Sequence, residues 1–130
     1  MKLLLDTHIF LWYITGDPRL PAIVLPLIRD PDNEIYLSPV SVWEIIVKHQ
    51  LGKLPMPQPP ATYAPQQRQR HQIKSLPLDE NSVTNLGQLP ALHKDPFDRM
   101  LICQAIQHDL ALASVDDAVR NYSAHVLLIP

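Results

Sequence analysis

The chain has 130 residues, of which 46% are hydrophobic and 18% charged, with a formal net charge of −2. That length and apolar content suit one self-sufficient domain over residues 1–130 and exclude a disordered or fibrous chain. The near-neutral balance excludes a global basic field for gathering nucleic acid, so any polyanion would have to be met by local cations.

Leu3-Leu4-Leu5 is a continuous apolar run, the pattern of a strand buried on both faces of a parallel sheet. The run is too short for a leader peptide, and no stretch approaches the ~20 apolar residues of a membrane span. A soluble, cytoplasmic protein without membrane contact is therefore expected. Asp6-Thr7 opens a helix through Leu11 and Trp12 that Gly16-Asp17-Pro18 stops. A second helix is expected from about Pro21 to Arg29, with Pro26 forcing a kink or an early end. Glu34 to Ser38 reads as a short strand after the turn cluster Asp30-Pro31-Asp32-Asn33.

Ser41 to Leu51 reads as a helix ended by Gly52. Pro55, Pro57, Pro59, Pro60 and Pro65 then predict an extended connector or broken lid, with Gln66 to His71 an exposed helix end. Ile73 to Leu78 looks like an edge strand, because Pro77 cannot donate to a ladder. Asp79 or Asn81 caps a short helix ending near Gly87. Asp98 to His108 places Leu101, Ile102, Ala105 and Ile106 on one helical face. Cys103, the one cysteine, lies in this apolar stretch and reads as a buried small hydrophobe in a reducing compartment. Leu110 to Ser114 is a second buried-strand pattern, followed by a short helix through Tyr122 and a last strand, His125 to Ile129. Strands alternating with helices predict a three-layer α/β/α sandwich on a mostly parallel sheet of four or five strands.

The acidic residues carry the chemistry. Asp6 and Asp116 both follow buried-strand patterns, and the carboxyl ends of strands in an open α/β sheet form its ligand crevice. Glu44 is embedded in Val42-Trp43-Glu44-Ile45-Ile46-Val47, where a carboxylate is costly unless paired or bound to metal. Asp98 stands beside the apolar wall of its helix. Such a cluster suits Mg²⁺ or Mn²⁺, which take oxygen ligands, activate water and stabilise charge on a phosphodiester. Each acid also has an ordinary reading. Asp6 serves as a helix N-cap, Glu44 pairs with Lys48 at i+4, Asp98 complements a helix dipole, and Asp116 is a turn residue. Asp95 and Asp117 read most simply as caps or Asx turns. The six histidines show no zinc-type spacing.

The wording of four segments adds a resemblance. Leu5-Asp6-Thr7-His8, then Ser41-Val42-Trp43-Glu44-Ile45-Ile46-Val47-Lys48 with Leu51-Gly52-Lys53-Leu54, then His93-Lys94-Asp95-Pro96-Phe97-Asp98-Arg99-Met100-Leu101-Ile102-Cys103-Gln104-Ala105, and finally Leu112-Ala113-Ser114-Val115-Asp116 stand in this order along nearly the whole chain. They resemble the four motifs of the PIN-domain family, and in particular its VapC-like ribonuclease toxins of type II toxin–antitoxin systems. The resemblance implies a PIN-like fold and an Mg²⁺- or Mn²⁺-dependent endoribonuclease. It implies that Asp6, Glu44, Asp98 and Asp116 are both catalytic acids and metal ligands, with Ser114 and Thr7 orienting them. Asp95 competes with Asp98 for the third place and Asp117 with Asp116 for the fourth.

Lys48 and Lys53 are candidates for tracking an RNA backbone. Arg99 contacts a phosphate, receives an acidic group of an antitoxin, or pairs with Asp95. Trp12, Tyr13 and Trp43 are candidates for base stacking, with core packing or a dimer contact the simpler reading of both tryptophans. The resemblance further implies a homodimer, an RNA substrate and a cognate antitoxin protein, with DNA touched only indirectly through that antitoxin. The rival reading is a catalytically inactive PIN-like module that grips RNA or protein. Phosphatases of the haloacid-dehalogenase kind and receiver domains fit poorly, because His8 stands where the first needs a second Asp and Asp6 is alone where the second needs paired acids.

Overall fold

The computed structural model describes residues 1–123 and 125–129. Leu3, Leu4 and Leu5 form strand β1 (Lys2–Leu5) and are fully buried. Burying each leucine side chain is worth roughly 1.5–3 kcal/mol. The pleat sends Leu3 and Leu5 to one face of the sheet and Leu4 to the other, and each face has its own apolar cluster. One cluster gathers α1 (Thr7–Thr15), α2 (Val24–Arg29) and α4 (Pro60–Arg70), through Ile9, Phe10, Val24, Ile28 and Ala64. The other gathers α6 (Pro96–His108) and α7 (Asp117–Arg120), through Leu101, Ile102, Cys103, Ala105 and Val119. Helix α3 (Pro39–Gln50) contributes Ile45 to the first cluster and Val40 to the second, so it wraps the carboxyl edge between them.

With β2 (Glu34–Leu37), β3 (Lys74–Ser75), β4 (Ala111–Ala113) and β5 (Leu128–Ile129), the sheet has the order β3-β2-β1-β4-β5, and every pairing is parallel. The three-layer expectation is met. Succession runs outward on one side from β1 to β3, then returns to β4 on the other side. The order therefore reverses at β1, where a doubly wound sheet opens its crevice.

Several boundaries differ from the sequence reading, each for a local reason. Helix α2 begins at Val24, which puts Pro26 in the first turn, where its missing N–H has no helical partner to lose. Helix α3 begins at Pro39 because Ser38 caps it, the hydroxyl accepting from Val40 N at 3.0 Å. Helix α4 starts at Pro60 and runs through Pro65, so the proline-rich connector ends six residues earlier than Gln66 suggested. Buried Pro60 and Ala64 anchor it, and packing outweighs the single backbone bond that Pro65 forgoes. The edge strand shrinks to Lys74–Ser75. Asp79 caps α5 (Glu80–Thr84) as expected. Helix α6 starts at Pro96 under the cap of Asp95, and Ile106 is exposed while Cys103 and Gln104 are buried, which rotates the core face by about one position. Gly16 terminates α1 at φ 66°, a left-handed conformation that suits glycine. Among the described residues no helix is long and apolar enough to cross a membrane.

Candidate active site

Two of the acids, Asp6 and Asp116, stand at strand-to-helix junctions on the same edge of the parallel sheet, and Glu44 from within α3 and Asp98 from the first turn of α6 meet them there. Asp6 follows β1, prolongs its ladder by donating its backbone N–H to Ala113 O at 2.9 Å, and caps α1. Its Oδ1 accepts from Thr7 N at 2.6 Å, and its Oδ2 accepts from Ser114 Oγ at 2.6 Å. Ser114, fully buried after β4, in turn accepts from the backbone N–H of Asp116 at 3.1 Å. One hydroxyl thus joins the first acid of the chain to the last, which gives the Ser-x-Asp spacing a physical role.

Glu44 projects from α3 and is only 2% exposed. Its Oε1 accepts from Thr7 Oγ1 at 2.6 Å, and Ser41 Oγ lies 2.9 Å from the same hydroxyl. Its Oε2 forms an ion pair with Lys48 one turn along. Asp98, in the first turn of α6, is 7% exposed, and its Oδ2 lies 2.8 Å from His93 Nε2. Asp95 caps that helix by accepting from Phe97 N and Asp98 N. Asp116 caps α7 by accepting from Ala118 N at 2.8 Å and is the most open of the four. The ordinary readings are therefore realised together with the convergence: three of these acids cap helices and Glu44 pairs with Lys48.

Two groups have ligand atoms that all lie within 4.8 Å of one another, Glu44–Asp95–Asp98 and His93–Asp98–Asp116. Asp6, a ligand in the sequence reading, belongs to neither, its two oxygens being held by Thr7 N and Ser114 Oγ. An ion with ligands at about 2.1 Å holds donors at most about 4.2 Å apart, so either group needs only a small side-chain adjustment to share one. The electrostatics agree. Burial, above all, raises the Asp6 carboxyl, and the charge of Glu44 adds to the effect. Burial, then the charge of Asp6, push Asp98 up to about 7, with Asp95 and Glu44 contributing and His93 opposing. Partial burial works against the charge of Lys48, yet its bond to Glu44 and the nearby Asp95 and Asp98 hold its ammonium above the usual lysine range. The cluster is short of positive charge, and a hard divalent cation bound by carboxylate oxygens fits that deficit.

Other candidates fall elsewhere. Arg99 turns its Nη2 to Leu89 O at 3.3 Å, and its backbone, not its guanidinium, meets Asp95. Asp117 is exposed in the first turn of α7. Trp43 is 57% exposed, which removes the core-packing reading, and its indole meets Phe97 edge-on at 4.8 Å. Trp12 lies under the Arg19 guanidinium at 5.2 Å, and His8 faces Trp12 across 5.8 Å. Sequence reading gave His93 no task, yet its ring stands in the cluster. The one local signal was its place five residues before Asp98.

A solved complex titled as DNA-bound VapBC from Salmonella typhimurium contains a chain that superposes with a TM-score of 0.71 at 16% identity, covering 99% of this chain and 97% of that one. A chain of VapBC2 from Rickettsia felis, bound to a promoter fragment, gives 0.69 at 14% identity over 99% and 98%. At such identities the likeness establishes the fold. Ribonuclease VapC16 of Mycobacterium tuberculosis is 39% identical over 66 residues, covering 48% of this chain and 47% of that protein, so the match spans about half its length. The family model described as the PIN domain matches residues 3–124. By its fold, its acidic edge and that match, the chain belongs to the PIN-domain family.

Proposed function

We propose that the protein is a metal-dependent endoribonuclease, the toxin of a toxin–antitoxin pair, with Asp6, Glu44, Asp98 and Asp116 as its catalytic acids. The observation that carries this reading is the gathering of Glu44, Asp98 and Asp116, with Asp95 among them and Asp6 close enough to couple to Glu44 and Asp98, at the point where strand order reverses in a PIN-family sheet. A cluster that raises Asp98 to about 7 is a standing electrostatic cost, which argues against an inactive binding module with no use for it.

Asp98, Glu44 and Asp116, with Asp95 beside them, are the residues that would hold Mg²⁺ or Mn²⁺. Such an ion supplies activation of water and stabilisation of charge on the phosphodiester. The chain's own groups set the geometry. Thr7 holds Glu44 through one carboxylate oxygen while Lys48 holds it through the other. Ser114 fixes Asp6 and the backbone of Asp116 at one distance. Lys48, 30% exposed, also presents positive charge to a phosphate entering over the acids. The exposed indole of Trp43 against Phe97 offers an aromatic face to an unstacked base.

The partners belong to the same proposal: RNA as substrate, a cognate antitoxin protein, a homodimer, and DNA reached only through the antitoxin. The likeness to chains from VapBC complexes and the partial match to a ribonuclease support it. Purified, antitoxin-free protein should cut total cellular RNA with Mg²⁺ or Mn²⁺ and not with chelator. A folded Asp6→Asn variant should leave the RNA intact. Cutting that survives in Asp6→Asn would locate the chemistry elsewhere, and a folded wild type that cuts no RNA pool would favour a binding module.

A further inference from the structure

His93 is the residue of the cluster that no oxygen-only metal site needs. Its loop is built with care. Fully buried Tyr122, 29 residues downstream, accepts at its hydroxyl from His93 N at 3.0 Å and from Leu92 N at 2.9 Å, and donates to Pro90 O at 2.7 Å. One phenol therefore fixes three residues of the loop and sets the imidazole over the acids. The side chain is 16% exposed, sheltered but open to the crevice. Nε2 lies 2.8 Å from Asp98 Oδ2, and a ring nitrogen of His93, a carboxylate oxygen of Asp98 and one of Asp116 all lie within 4.8 Å of one another. Adjacent donors of an octahedral ion with bonds of about 2.1 Å are about 3.0 Å apart, so the nitrogen and oxygen already stand at the separation of neighbouring ligands.

We propose that His93 supplies a nitrogen ligand to the divalent cation, completing a site with Asp98 and Asp116 that favours Mn²⁺ over Mg²⁺. The inference rests on the metal-dependent reading above and deepens it. Mg²⁺ is matched by oxygen donors and water, whereas imidazole suits first-row transition ions. The tautomer with its proton on Nδ1 turns the Nε2 lone pair toward a cation seated between the ring and Asp98. The companion group, Glu44–Asp95–Asp98, offers only oxygen and already has the Lys48 ammonium beside it.

The test uses metal-stripped full-length protein and Mn²⁺ itself as probe. Free Mn²⁺ is followed by electron paramagnetic resonance during titration, with Mg²⁺ as competitor. Bound Mn²⁺ is examined by electron spin echo modulation for coupling to a ¹⁴N nucleus. Wild type should show the nitrogen coupling, and His93→Gln should lose it. In His93→Gln the Mn²⁺ affinity should fall on the order of tenfold or more while Mg²⁺ affinity changes little, so that the preference collapses. A nitrogen-free wild-type spectrum overturns the proposal, and this result needs no variant to fold. An unchanged Mn²⁺/Mg²⁺ preference in folded His93→Gln overturns it as well. Asp98→Asn separates the two layers of argument. If Asp98→Asn abolishes Mn²⁺ binding and His93→Gln leaves it intact, the nitrogen ligand alone is wrong. If Asp98→Asn leaves it intact, the acidic site itself is misassigned.

Discussion

Replacing Asp98 by Asn removes the one carboxyl that the cluster pushes up to about 7, while keeping the shape of the side chain and a polar atom in reach of His93 Nε2. An unfolded aspartate titrates near 3.8. A carboxyl with a raised folded-state value contributes stability that is complete below the unfolded value and is lost as pH climbs through the folded one. The metal-free protein should therefore lose stability between about pH 4 and pH 8 through this group. The rise from 3.8 to about 7 at about 1.4 kcal/mol per unit sets a ceiling of about 4 kcal/mol. Because the charge of Asp6 contributes to raising Asp98, part of that belongs to the coupling between them, and about 2–3 kcal/mol is the expected share of Asp98 alone. Urea unfolding in chelator at about pH 5 and about pH 8, for wild type and Asp98→Asn, reads this share together with that of its contact with His93, the other histidines being common to both. Asp98→Asn should be the more stable protein at the higher pH, and saturating Mn²⁺ should reverse the ranking. If the variant is destabilised equally at both pH values, the carboxylate is not strained by its neighbours and the electrostatic argument for a cation site fails.

Three further outcomes follow from single contacts. Ser114→Ala removes the hydroxyl that joins Asp6 to Asp116 and should weaken Mn²⁺ binding on the order of tenfold to hundredfold, read by the same titration. Tyr122→Phe leaves the ring in its core but strands Leu92 N, His93 N and Pro90 O; it should cost about 1–3 kcal/mol in urea unfolding and reduce the Mn²⁺ preference along with it. Leu4→Ala opens a hole beneath α6 and should cost about 2–5 kcal/mol in thermal or urea unfolding, with metal affinity measured below the transition unchanged.

The parts of the fold set by local pattern were legible in the sequence. The triple-leucine strand and the glycine stop at Gly16 depend on neighbours within a turn or two and appear where the pattern places them, and the α6 helix does so with its core face turned by about one position. What misled was proline counted without its position. Pro26, Pro60 and Pro65 look like breakers, yet two of them occupy first turns and the third is held by packing against α3. His93 was illegible for a different reason. Its orientation depends on Tyr122, across 29 residues and a strand, and no local periodicity carries that bond.

The acids show why a capping role does not exclude a ligand role. Asp6, Asp95 and Asp116 each satisfy backbone N–H groups at the start of a helix, and Asp98 lies in the first turn of α6. In a sheet whose strands are all parallel, the helices that follow β1 and β4 begin on the same edge, so caps that look unrelated along the chain become neighbours in space. The N-termini there supply partial positive charge, which offsets some of the repulsion between carboxylates and lets them stay close. The offset is incomplete, as the raised Asp6 and Asp98 show. The acidic edge is therefore held together by helix starts, two hydroxyls and one lysine, and what remains unbalanced is the charge that a divalent cation would carry.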